Sequence, residues 1–179
     1  HYKFELTLSD ATDEIIGRTS IVVLFNTNDS KKLRFDLINR SAELKDKGML
    51  VESVLFEDNP VSYKHEKNVL WIDLPRSFAK NSSATFVINY RGIPADGLRI
   101  GNNRHGERCF FNENWPNRTR HWLPTVDHPY DKATNEFVIT APSHYQVISN
   151  GLLKEESIIN ANQKLTHWKQ SVPISSWLY

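Results

Sequence analysis

Cysteine is almost absent. Cys109 is the only one in 179 residues, so no disulfide can form within the chain. A lone thiol of this kind reads as a small apolar side chain rather than a nucleophile. No apolar run exceeds a few residues, which excludes a membrane-spanning helix. Charge of one sign is not in excess: 22 basic side chains stand against 21 acidic ones, for a net +1. Nothing in that balance suggests nucleic acid, and there is no acidic tail. No signal peptide is visible at His1, where the chain begins inside what reads as a strand. No stretch of ten or more residues carries a helical apolar period.

Self-sufficient catalytic chemistry is also missing. His65-Glu66-Lys67-Asn68-Val69 falls one residue short of H-E-x-x-H, in which two His share one helix face around zinc. Val69 cannot bind a metal. His121 and His128 bracket W-L-P-T-V-D, and Pro124 forbids the helical spacing a shared metal would need. The Gly101-to-Gly106 stretch lacks the Lys-Ser/Thr that completes a phosphate loop, and there is no G-x-S-x-G elbow. Four N-x-[ST] sequons, at Asn28, Asn39, Asn81 and Asn117, are too common by chance to carry an argument.

What the chain does have is strands. Tyr2, Phe4, Leu6 and Leu8 alternate with Lys3, Glu5, Thr7 and Ser9, the pattern of a half-buried strand. Thr19–Phe25, Leu33–Leu37, Leu50–Phe56, Val69–Leu74 and Ala84–Tyr90 follow the same logic. Later candidates are Phe137–Ala141, Tyr145–Ser149 and Lys164–Gln170. Polar breaks at Asp10–Glu14, Asn26–Lys32 and Asp58-Asn59-Pro60 separate them, and Arg76–Asn81 has room for one short turn. Asn150-Gly151 between apolar residues predicts a type I′ hairpin. Many short strands at this spacing predict an all-β fold, with mixed or antiparallel sheets in a sandwich or saddle and little or no helix. The length suits a single globular domain over residues 1–179.

One segment breaks the pattern. Asn112–Thr134 holds two Trp, three Pro and two His with no apolar period. Pro116, Pro124 and Pro129 rule out a continuous helix or a central strand. A long ordered loop of this composition either shapes a binding surface or forms a packed corner plugged by Trp115 and Trp122.

The segment Y-R-G-I-P-A-D-G-L (Tyr90–Leu98), then F-F-N-E-N-W-P-N-R-T-R-H-W-L-P-T-V-D-H-P, then D-K-A-T-N-E-F-V-I-T-A-P and V-I-S-N-G, resembles the N-terminal β-domain of the zinc aminopeptidases. That family includes aminopeptidase N and leukotriene A hydrolase, and the W-P-N-R-x-R-H-W string is similar to its bacterial branch. The opening H-Y-K-F-E-L-T-L-S and the closing H-W-K-Q-S-V-P-I-S-S-W-L-Y resemble that domain's first strand and its exit toward the catalytic domain. The middle third is specific; the first 80 residues match only as a strand pattern.

The resemblance implies a non-catalytic domain that caps the active-site cleft of a larger peptidase and helps bind the peptide N-terminus. It implies zinc in a following catalytic domain, since the Gly-x-Met-Glu-Asn loop and the H-E-x-x-H helix are not here, and no metal or other cofactor on this chain. Its partners would be that catalytic domain and the peptide substrate, with no nucleic acid and no membrane span. A soluble protein of the bacterial cytoplasm or periplasm is implied. In the family, a Glu or Gln in the loop before R-x-x-x-P-x-x-D-x-P helps hold the substrate's amino group. Here that position is Trp115, and Glu113 lies two residues earlier. Glu113, Asn114 and Trp115 are therefore the substrate-facing candidates. Glu113 offers the carboxylate an ammonium needs, and a solvated loop acid is the alternative. Pro116, Arg120 and Asp127 match positions with a structural part, an Arg–carboxylate contact pinning the loop.

Two expectations follow from this reading. The Trp115–Pro116 bond should be cis, a state open to about 5–6% of X–Pro bonds in folded proteins. An apolar surface should be exposed around Trp177 and Tyr179. Two other functions remain open. A stand-alone module binding carbohydrate or protein would expose Trp115 and Trp122 as one coplanar platform. A scaffold related to peptidases would be followed by a domain with broken zinc ligands.

Overall fold

A computed structural model describes residues 1–179. Thirteen strands run along the chain: β1 (Tyr2–Thr7), β2 (Ile15–Leu24), β3 (Lys32–Asp36), β4 (Gly48–Phe56), β5 (Asn59–Pro60), β6 (Tyr63–Glu66), β7 (Val69–Asp73), β8 (Ser83–Ile93), β9 (Leu98–Asn102), β10 (Arg108–Asn112), β11 (Ala133–Pro142), β12 (Leu152–Asn160) and β13 (Gln163–Ile174). The only helical pieces are three-residue 3-10 turns at Ala42–Leu44, Thr119–His121 and Ser176–Leu178. The fold is all-β, as the alternation requires. No helix is long and apolar enough to cross a membrane.

Eight strands form one sheet in the order β12-β13-β11-β1-β2-β8-β4-β5. All its pairings are antiparallel except β1 with β11, where Phe4 lies opposite Phe137 and Leu6 opposite Ile139. A three-stranded sheet, β3-β7-β6, and the β9–β10 hairpin complete the fold. The inner face of the large sheet supplies Phe4, Ile21, Phe86, Ile88, Phe137 and Ile139 to one continuous core. Phe35, Leu70 and Ile72 reach the same core from the small sheet, and Trp122 and Leu123 from the irregular loop. Each such side chain contributes about 1.5–3 kcal/mol by leaving water.

Differences from the sequence reading have local causes. Strand β2 begins at Ile15, not Thr19. Gly17 interrupts its apolar pattern because the Tyr90 ring lies over it: a Cβ there would sit 2.3 Å from Tyr90 Cζ. Tyr145–Ser149 is not a strand; it runs as irregular chain, and Trp168 Nε1 donates to the Val147 carbonyl at 3.1 Å. The Asn150-Gly151 type I′ hairpin is not formed either, because no strand precedes it and only Gly151 has a positive φ, of 94°. The paired positive φ of a type I′ turn appears instead at Lys67-Asn68, between β6 and β7, and at Glu57-Asp58, between β4 and β5. The near-miss zinc motif is thus a hairpin. His65 Nε2 donates to the Leu37 carbonyl at 2.9 Å, and burial holds the imidazole below its usual pKa against that bond, which raises it.

Strand β12 escaped the sequence reading because it does not alternate. It is the edge of the large sheet and is exposed along nearly its whole length. The β9–β10 hairpin escaped because polar and charged residues interrupt it. Its loop is tied by Asn103 Oδ1, which accepts from His105 N at 2.8 Å and Glu107 N at 3.0 Å. This is why Gly101–Gly106 is a hairpin tip rather than an anion cradle.

Candidate functional site

Between β10 and β11 the chain crosses residues 113–132 with no strand, so its backbone groups must find partners elsewhere. Asp36 N donates to the Thr125 carbonyl at 2.7 Å and Ile38 N to the Arg120 carbonyl at 2.8 Å, which attaches the loop to the small sheet. The Trp115–Pro116 peptide bond is cis, as expected.

Arg120 and Asp127 meet. Arg120 Nε donates to Asp127 Oδ2 at 3.0 Å, and its terminal nitrogen donates to the Asp127 carbonyl at 3.0 Å. The Asp127 side chain is fully enclosed. Its other oxygen accepts from Ser176 Oγ at 2.7 Å, and its backbone N–H donates to Asp36 Oδ2 at 3.1 Å. Asp36 in turn pairs with Arg34 at 2.7 Å. Two buried carboxylates are thus answered by two guanidinium groups, which is how buried charge is tolerated. His121, on the adjoining 3-10 turn, has its imidazole held below the usual pKa by burial first; Arg120 and Arg118 push the same way, against Asp96 and Asp127.

The loop also grips the last residues of the chain. Asn114 is 2% exposed. Its Nδ2 donates to the Tyr179 carbonyl at 2.8 Å, and its Oδ1 accepts from Trp122 Nε1 at 2.9 Å. Asn112 Nδ2 donates to the same carbonyl, and Thr119 Oγ1 to the Ser176 carbonyl at 2.9 Å. Asn114, a substrate-facing candidate on sequence, is therefore placed inside, with both ends of its amide occupied. Sequence reasoning missed this clamp. The only trace of it is a pair of asparagines, two apart, ahead of Trp-Pro. Their partners are main-chain carbonyls some 60 residues away, which carry no sequence signature.

Glu113 and Trp115 do face outward. Trp115 is 63% exposed while Trp122 is 4% exposed, so the two indoles form no shared platform, contrary to what a stacking module needs. Glu113 Oε2 accepts from Arg99 at 2.9 Å and from Arg118 at 3.3 Å. Its carboxylate already stands between two cations, and any ammonium would have to share it. Pro116 follows Trp115 at the tip and is exposed.

Beside these residues lies a groove of about 600 Å³, lined mainly by apolar side chains including Leu6, Phe110, Trp115, Ile139, Ile148 and Leu178. Cys109 also lines it and is half-buried. The expected exposed surface at the end of the chain needs correction. Tyr179 is 5% exposed and packs 5.7 Å from the Phe4 ring and 5.8 Å from Tyr2. Trp177 is half-buried, and only Leu178 points out. Tyr179 is covered by neighbours from β1, at the opposite end of the sequence. The longer run of bare apolar side chains is on β12, at Leu152, Leu153, Ile158 and Ile159.

No group of three or more His, Cys, Asp or Glu side chains is arranged to hold a metal. His65 is spent on a carbonyl, and His128 packs at a tilt against Tyr130 with ring centres 4.3 Å apart. The donors present on this chain do not fit a zinc site.

The sequence profile of the peptidase M1 N-terminal domain matches residues 1–178. The chain belongs to that family. Its fold is shared with an M1 zinc metallopeptidase from Deinococcus radiodurans, at 22% identity and a TM-score of 0.81; the match covers 99% of this chain and 39% of that one. It is also shared with native leukotriene A4 hydrolase from Saccharomyces cerevisiae, at 18% identity and a TM-score of 0.72, covering 99% of this chain and 27% of that one. A mutant of the Deinococcus radiodurans enzyme bound to a Tyr-Ser-Ala substrate matches at 22% identity with a TM-score of 0.82. The chain thus spans about two fifths or less of these solved chains. No curated protein matches it. The peptidase M1 N-terminal domain seen here carries the β-fold and not a zinc-binding ligand set.

Proposed function

We propose that residues 1–179 form the N-terminal β-domain of a zinc aminopeptidase and have no peptidase activity alone. Zinc and the hydrolytic groups belong to a catalytic domain that follows. The loop from Glu113 to Asp127 presents Trp115, and secondarily Glu113, to the cleft between the two domains and contributes to holding the free N-terminus of a peptide. Asn114, Arg120 and Asp127 serve this by fixing the loop.

The observation that carries the reading is the clamp itself. Asn112, Asn114, Thr119 and Asp127 all bond to residues 176–179, so the loop and the segment leading toward the next domain form one rigid piece. A loop meant to meet a substrate held by another domain must be positioned relative to that domain. The Deinococcus radiodurans relatives support the same reading, since they are M1 zinc metallopeptidases longer than this chain. The groove beside Trp115, whose rim includes the outward-pointing Leu178, is the surface on which the catalytic domain would rest.

The test is hydrolysis of aminoacyl anilides by the full-length protein, with and without a zinc chelator, beside this domain alone. Chelator-sensitive cleavage by the full-length protein and none by the domain is the expected result. A following domain without H-E-x-x-H, or cleavage by residues 1–179 alone, overturns it.

A further inference from the structure

Asn150-Gly151 is the one Asn-Gly pair in the chain, and it forms no hairpin. We propose that Asn150 is a site of spontaneous deamidation, and that its conversion to aspartate or isoaspartate releases the segment that walls the groove.

Two things favour the reaction here. Both residues are exposed, so water and base have access. The Gly151 N–H, the nucleophile required, makes no hydrogen bond, whereas a ladder-bonded amide would be tied down. Glycine also puts no side chain in the way of its own nitrogen. In the reaction the Gly151 nitrogen attacks Asn150 Cγ and loses its proton. The Cγ–Nδ2 bond breaks and ammonia leaves, giving a succinimide. Water then opens the ring at either carbonyl, leaving aspartate or isoaspartate. No other reactant is needed.

The consequence follows from what Asn150 holds. Its Nδ2 donates to the Leu178 carbonyl. A carboxylate has no proton to donate and would set an anion against that carbonyl oxygen. Leu178 and Ile148 line the groove together, so the lost bond loosens one wall. The Leu178 and Tyr179 amides, bonded to the Ser175 carbonyl at 2.9 Å and the Ser176 carbonyl at 3.0 Å, report on that wall directly.

The experiment ages the purified protein at mildly alkaline pH and maps amide-to-acid conversion by peptide mass, with isoaspartate detected separately. Asn81, which precedes Ser82 and is also exposed, is the internal comparator. Asn150 should convert faster than Asn81 by about tenfold or more, the factor given by ~1.4 kcal/mol of barrier. Asn150→Gln, which extends the side chain by one methylene, should slow loss of the amide at this position. Hydrogen exchange at Leu178 and Tyr179 should quicken in the aged protein and in Asn150→Asp, which folds without any ageing step. Conversion no faster than at Asn81, or unchanged exchange in both converted forms, overturns the proposal.

Discussion

The large sheet and the loop that crosses from β10 to β11 are held together in opposite ways. In the sheet, alternate side chains enter a shared core and the ladder satisfies the backbone, so each residue depends on many weak contacts. In the loop there is no ladder, and position depends on a few directional bonds made by Asn112, Asn114, Thr119, Arg120 and Asp127. A core of the first kind tolerates repacking. A network of the second kind fails where one member is removed, because the others are left buried and unpaired. Candidate binding residues sit on the second kind of structure, at the end of a support built by the first.

The strongest test of this contrast is in the sheet. Phe4 is fully buried and touches Phe137 with ring centres 5.0 Å apart. Phe4→Ala should cost about 3–5 kcal/mol in urea unfolding, the range for a buried aromatic. A cost under about 1 kcal/mol would mean that the core closes over the gap. Next is the ionic centre of the loop. Asp127→Ala strips Arg120 of its carboxylate, for which a fully buried pair would cost about 3–5 kcal/mol; partial exposure of Arg120 lowers the expectation to about 2–4. Exchange should quicken at Arg120–Thr125 while the sheet amides hold, and uniform quickening would erase the distinction between the two regions.

Asn114→Ala should cost about 1–3 kcal/mol, because the Trp122 indole N–H and the Tyr179 carbonyl both lose a partner. An intermediate effect is expected from acid. Burial first, offset in part by the Leu37 carbonyl, lowers the His65 pKa in the folded state. The unfolded chain therefore binds the proton more readily, and stability falls as pH drops from about 6.5, the unfolded value, through the folded one. Burial alone would raise the Glu136 pKa, but bonds from Lys169 and His167 outweigh it and the net shift is downward. Its contribution is present above the unfolded value of about 4.3 and is lost as pH falls through the folded one. His65→Asn should flatten the first part of a melting-temperature profile against pH, and Glu136→Gln the second. The smallest effect belongs to Glu113→Gln. An exposed carboxylate between Arg99 and Arg118 should change stability by no more than about 0.5 kcal/mol. In the full-length protein it should raise KM for substrates with a free α-amine; unchanged kinetics would leave Trp115 as the residue of interest in this loop.

Much of the sheet was legible. β1, β7 and the middles of β4, β8 and β11 announce themselves by alternation, because each turns one face to the core and the other toward solvent. β12 and the β9–β10 hairpin do not, since an exposed edge or a strand interrupted by charge has no two-sided contrast to display. At the candidate site, the residue types around Trp115 and the Arg120–Asp127 pairing were readable from local spacing and resemblance. The burial of Asn114 was not.

Local patterning along the chain was enough for the fold class, for the lack of long helices and for the family, because all three rest on residues close in sequence. Distant pairings were settled only when the chain closed on itself. Tyr179 is buried because β1 lies beside it, Glu113 is ion-paired because Arg99, which faces Phe111 in the β9–β10 hairpin, reaches diagonally to its carboxylate, and Asn114 is enclosed because it bonds a carbonyl 65 residues away. A hydrogen bond to a main-chain carbonyl depends on where that carbonyl is and not on which residue bears it, so the sequence at the acceptor leaves no record of the bond.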